Sequence, residues 1–146
     1  MIDTRELILA RILVTLGTVQ VGVKAHRNLP DVPENLRPCL VLVDGDEEAS
    51  DQDLARHAAF LRRVTVTPEI LILIGATDGV GSALNALRAK VLHALLFDTT
   101  LKTLLLDDDI VYLGAHSAFQ EGRRIEGSMV LRLSFTYLLR PTDLAP

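Results

Sequence analysis

The chain has 146 residues, of which 49% are hydrophobic and 23% charged, a balance that supports one buried core and leaves no long stretch too polar to fold. Its formal charge of -4 argues against a surface that neutralises phosphates, because nucleic-acid binding draws on clustered Lys and Arg to release counterions. Cys39 is the sole cysteine, and uninterrupted apolar runs such as 70–74 and 94–97 fall far short of the roughly 18 residues that cross a bilayer, so no disulfide, multi-cysteine zinc site or helical membrane span is expected.

No small-residue cleavage site follows a positively charged start, so no secretion signal is expected, and a reducing intracellular site of folding fits the lone thiol. Asp3 and Glu6 have the spacing of a capping box, with Asp in the place usual for Ser or Thr. Leu7, Ile8, Ala10, Ile12, Leu13, Val14 and Leu16 follow, which predicts a helix over 3–16. After Glu6 only Arg11 and Thr15 interrupt its apolar positions, so one sheet face would not cover it, and a second burial surface on a partner subunit is expected.

Val19, Val21, Val23 and Ala25 alternate with Gln20, Gly22, Lys24 and His26, the period of a half-buried first strand. Pro30, Pro33 and Pro38, with Asp31, Glu34 and Asn35, make 28–38 a loop. Cys39, Leu40, Val41, Leu42 and Val43 read as a buried second strand closed by Asp44 and Gly45. The acidic stretch that follows has little to pack, which predicts an exposed loop over 44–62.

A third strand over 63–74 places Val64, Val66, Ile70 and Ile72 on one face and Arg63, Thr65, Thr67 and Glu69 on the other. Pro68 in its middle cannot donate to a ladder, which predicts an edge or a bulge and an exposed rim of the sheet. Val80, Leu84, Leu87, Val91 and Leu95 then recur at helical spacing to about residue 97, with Asp78 placed to cap. A turn with Leu101, Leu104 and Leu105 leads to a fourth strand at 110–115. Beyond a charged loop at 120–127, Met129, Leu131, Leu133, Phe135, Tyr137 and Leu139 share one face of a fifth strand, and Arg132, Ser134 and Thr136 the other, as in an antiparallel sheet wet on one side. The order α-β-β-β-α-β-β predicts one α+β domain over 1–146, with a mixed, mainly antiparallel sheet and two main helices packed on one face.

The most tempting motif is Leu73-Ile74-Gly75-Ala76-Thr77-Asp78-Gly79-Val80-Gly81, a strand, spaced glycines and a helix, which resembles the phosphate-binding turn of short-chain dehydrogenases. The context opposes it. The helix leads to Asp98 and a turn instead of a second strand ending in an acid, and neither Tyr112 nor Tyr137 has a Lys four residues on. Gly75, Gly79 and Gly81 are therefore read as turn and helix-start residues, and no cofactor is expected. Asp44, Asp46 and Glu48 alternate like the start of a calcium loop, but Ala49 and Ala55 stand where glycine and the bidentate Glu are needed. Asp107, Asp108 and Asp109 read as a solvated turn more readily than as a cation site. His26, His57, His93 and His116 form no metal-binding spacing, and Ser82, Ser117, Ser128 and Ser134 lack a nucleophile elbow, so no enzyme is expected.

Taken in order, several segments are similar to a bacteriophage tail terminator or minor tail protein. These are the early apolar helix, Arg37-Pro38 leading into a strand that ends Asp44-Gly45, the strand with Thr67-Pro68-Glu69-Ile70, the helix over 80–97, and Leu133-Ser134-Phe135-Thr136-Tyr137 ending in Arg140-Pro141. The match covers most of the chain in element order and length. The resemblance implies a homo-hexameric ring in the virion that caps the tail tube, ends its polymerisation and offers a surface to the neck. Its partners would be copies of itself, the tail tube protein and a neck or connector protein, with DNA passing through without specific binding. Leu9, Arg11, Pro68, Glu121, Arg123, Arg124 and Glu126 are then candidate subunit contacts. Asp44, Asp46, Glu47, Glu48, Asp107, Asp108 and Asp109 are candidate lumen residues that would repel phosphate. Another head–tail connector or tail completion protein is the nearest alternative, and a small nucleotide-binding enzyme built on 75–81 a remote one.

Overall fold

A computed structural model describes residues 2–50, 61–75, 77–120 and 126–144. Helix α1 (Thr4–Leu16) begins where the capping spacing places it, with the Asp3 carboxylate accepting the Glu6 amide at 3.3 Å, and closes at Gly17, whose amide donates to the Leu13 carbonyl. Helix α2 (Val80–Leu96) buries Val80, Leu84, Leu87, Val91 and Leu95, the same five residues the periodicity selects. Asp78 is not its cap. Gly79 holds that place in a left-handed conformation, φ 71°, with no side-chain cap, because the turn leaves Asp78 one residue too early. A single helical turn, α3 (Thr99–Lys102), follows and is capped by Asp98.

Among the described residues there are five strands, β1 (Lys24–Arg27), β2 (Cys39–Ala49), β3 (Arg62–Ile74), β4 (Ile110–Gln120) and β5 (Glu126–Leu139), in the sheet order β1-β2-β3-β5-β4. β1 pairs parallel to β2, and every other neighbour is antiparallel. The protein is thus α+β with a mixed, mainly antiparallel sheet. Since β3 and β4 both run against β5, they point the same way, and α2 joins them across the inserted β5.

One core lies between α1, α2 and the sheet face formed by alternate residues such as Leu42, Val66, Ile70, Leu131 and Phe135. A second, smaller cluster lies on the opposite face, where Leu29 and Val32 of the proline-rich 28–38 segment cover Cys39, Val41 and Leu73. That face is therefore dry under the segment and wet only farther along, where Arg132 is exposed.

Three further expectations need correction. The alternation over 19–26 yields a strand only at Lys24–Arg27. The Thr18 and Val19 amides donate back to the Thr15 and Leu16 carbonyls, so the chain keeps turning after α1 and leaves Val21 fully exposed. The loop expected over 44–62 is strand as far as Ala49, because Asp46, Glu47, Glu48 and Ala49 pair with Thr67, Val66, Thr65 and Val64, and backbone pairing does not require apolar side chains. Arg62 already belongs to β3, and 51–60 lie outside the described residues.

Pro68, finally, is not at a rim. It is buried in the central strand, and the expected bulge is what accommodates it. The β2 register shifts between Val43 and Asp46, and the pairing with β5 passes from Val66 directly to Glu69. Gly45 makes this approach feasible at φ 75°, since a Cβ there would stand 2.0 Å from the Thr67 carbonyl oxygen. Arg5 donates to the Gly45 carbonyl at 3.0 Å.

Candidate functional site

The register aligns Glu47 with Val66, Phe135 and Ile110, so the outer part of β2 and the start of β4 lie at one end of the sheet. That end gathers exposed Asp46, Glu47 and Glu48 on one side and exposed Asp107, Asp108 and Asp109 on the other. Asp107 and Asp108 both have positive φ, at 52° and 53°. Arg62 and Arg63, opposite Leu139 and Leu138, and the exposed Arg140 temper this negative end without matching its carboxylates in number. Glu47 accepts the Tyr137 hydroxyl, and burial, followed by this carboxylate, pushes the phenol well above its ordinary range.

Asp44 does not join that exposed set. Arg27 donates to it from Nε at 2.8 Å and from a terminal nitrogen at 3.0 Å, and to Glu6 at 2.7 and 2.9 Å. One guanidinium thereby fastens the first turn of α1 to β1 and β2, and these hydrogen bonds hold both carboxyls below their ordinary range. Arg11 has a similar internal task. It donates to Asp98 at 2.9 and 3.1 Å, while Asp98 also accepts the Thr15 hydroxyl and the Leu101 amide. Burial alone would raise the Asp98 carboxyl, but the Arg11, Thr15 and Leu101 donors together bring it below the usual value.

The candidate subunit contacts fare unevenly. Leu9 is 1% exposed and belongs to the core. Arg11 is committed to Asp98, and Pro68 is buried. Glu126 faces Arg37 of the same chain at 3.7 Å. Glu121, Arg123 and Arg124 lie outside the described residues. The apolar surface that folding leaves uncovered lies elsewhere: Leu7 (45% exposed) and Val14 (57%) on α1, Phe97 (68%) after α2, and Val111, Leu113 and Phe119 along β4. The β4 residues were legible in principle, because 110–120 carries no Lys, Arg, Asp or Glu in a chain that is 23% charged.

Beside the glycine turn, Arg37, Pro38, Ile74, Gly75 and Ala83 line an open cleft of about 490 Å³. β3, which feeds the turn, has antiparallel partners on both sides, unlike the parallel strands of a dinucleotide fold. The Cys39 thiol is buried and pushed above its ordinary range by that burial, the reverse of what activates a nucleophile. Among the described residues no group of three or more His, Cys, Asp and Glu side chains could hold a metal ion, and no helix is long and apolar enough to cross a membrane. No protein-family model matches the chain, and no curated protein matches it.

Proposed function

We propose that this chain is a structural virion protein, a tail-terminator-like subunit whose copies form a homo-hexameric ring on the head-proximal end of a phage tail tube. The ring ends tube polymerisation and presents the joining surface for the neck or connector protein. The observation that carries the reading is the uncovered apolar surface of α1: with its core face fully used, Leu7 and Val14 still stand 45% and 57% exposed. Single exposed apolar residues are ordinary, but two on one face of a short helix suit burial against a neighbour. The chemistry is then that of surfaces, and no substrate is turned over.

The carboxylates of Asp46, Glu47, Glu48 and of Asp107, Asp108 and Asp109 share one sheet end, and turned toward a ring lumen they would repel passing DNA. Their placement on the outer rim in a cryo-electron map would remove that assignment. For the function itself, the purified chain is added to polymerising tail tube protein. Tubes that stop growing and carry a ring at one end are the expected result. Unaltered tube growth, with the chain remaining in the supernatant, refutes the reading. Growth that continues while the chain binds only a connector favours another head–tail joint protein.

A further inference from the structure

The two edges of the sheet are built differently. β1, the edge beyond β2, has four residues and an exposed Lys24, and both shortness and charge are devices that keep an edge from recruiting another strand. β4, the edge beyond β5, has eleven residues. It is paired with β5 from Ile110 to Gln120, and among the described residues no strand pairs with its other side. It holds no Pro, Lys, Arg, Asp or Glu, its Val111, Leu113 and Phe119 are exposed, and its one blunting feature is the irregularity between Tyr112 and Gly114. A row of unmatched amides and carbonyls on an uncharged strand is a template for another strand.

We infer that β4 pairs antiparallel with β4 of a second copy of this chain, so that the two sheets run on into one about a two-fold axis. Length decides the partner strand. A head-to-tail join to β1 would occupy four residues and leave most of β4 open, whereas a second β4 matches it residue for residue. Charge decides the direction. Asp107, Asp108 and Asp109 lead directly into β4 and are exposed. In a parallel pair these two triplets would lie side by side. In an antiparallel pair they stand at opposite ends, roughly 35 Å apart at the usual strand rise. The strand between them is free of carboxylates and guanidiniums, so two copies approach without like-charge contact. The inference concerns the free protein and does not depend on the ring.

The 146-residue chain suits a cysteine test, because its one thiol, Cys39, is buried. Cysteines are placed singly at Leu113, Ala115, Ser117 and Ala118 to scan the registers, with Ser82→Cys on the exposed side of α2 as control. After mild oxidation at low concentration, at least one β4 variant should give a covalent two-chain species, while Ser82→Cys and the parent stay single on a non-reducing gel. A two-fold contact links a residue near the axis to itself, which a head-to-tail contact cannot do. A Val111→Lys, Phe119→Lys double variant should weaken association about tenfold or more in sedimentation and, at dilutions where both proteins are single chains, keep the parent's melting temperature. The inference is overturned if the parent sediments as a single 16.0 kDa chain at every concentration, or if it associates and no β4 cysteine cross-links. Electron micrographs of the same samples keep the two proposals apart: rings without β4 cross-links sink this one alone, and cross-linked pairs with no ring on tail tubes sink the other.

Discussion

Asp98 is the residue on which most local structure converges, and its side chain is only 4% exposed. It caps α3, holds Arg11 and Thr15 of α1, and so ties the two ends of the helical layer. Asp98→Ala removes the cap and strands a guanidinium that is 33% exposed. The expected cost is about 3 kcal/mol, at the low end for breaking a buried pair because Arg11 retains contact with water. Urea unfolding of the variant checks it. Glu6, Asp44 and Asp98 all titrate below their ordinary values when folded. A carboxyl depressed in the folded state binds its proton more readily in the unfolded state, so its contribution is complete above the ordinary carboxylate range and is lost as pH falls through the folded value. The melting temperature should therefore hold from neutrality to about pH 5 and fall steadily below it, and Asp98→Asn should flatten that fall. Arg11 stands out in the sequence as the one charge of α1 after Glu6, but its partner is 87 residues away, a separation no local pattern reports. Read alone, it looked like a group awaiting another subunit.

At the level of elements, legibility followed local periodicity. α2 could be read to its five buried residues because a 3.6-residue period is a property of the segment itself. The alternation at 19–26 starts the strand too early, at 19 where β1 begins at Lys24, since whether the chain extends or turns depends on the end of α1 and on Gly22 at φ 84°, neither of which alternation registers. The acidic half of β2 is strand because β3 pairs with it, and composition speaks only of side chains. Gly127 carries no side-chain signal for the same reason. A Cβ on it would lie 2.3 Å from Val80 Cγ1 and 2.9 Å from Leu84 Cδ1, so β5 and α2 approach each other only because that position is bare. Gly127→Ala should cost about 1–3 kcal/mol through overpacking, visible as a lower urea midpoint with unchanged slope. A melting temperature equal to the parent's would show that α2 can shift without penalty.

At the scale of the molecule, the α+β class and the sequence of elements were readable, while the order of strands across the sheet was not. The crossover of α2 over β5 places the last strand beside β3, and only this non-local pairing makes Pro68 central instead of peripheral. The expectation that α1 exceeds what one sheet face covers has a concrete counterpart in exposed Leu7 and Val14. A Leu7→Ser, Val14→Ser double variant should unfold within about 0.5 kcal/mol of the parent, as exposed substitutions do. If the ring reading is right, it should also fail to form rings on tail tubes in electron micrographs. Intact rings from that variant would relocate the subunit contact.

The 28–38 segment lies over Cys39 like a strap, and Cys39 is the chain's only sulfhydryl, with 0% exposure. A disulfide reagent can reach it only when Leu29 and Val32 lift away or the whole fold opens. Labelling kinetics in the native protein therefore time that local movement, a clock supplied by the protein without engineering. If the strap opens on its own, the rate should exceed that of global unfolding and stay constant as mild urea is added. A rate that climbs with urea in step with global unfolding would mean that strap and core open as one cooperative unit.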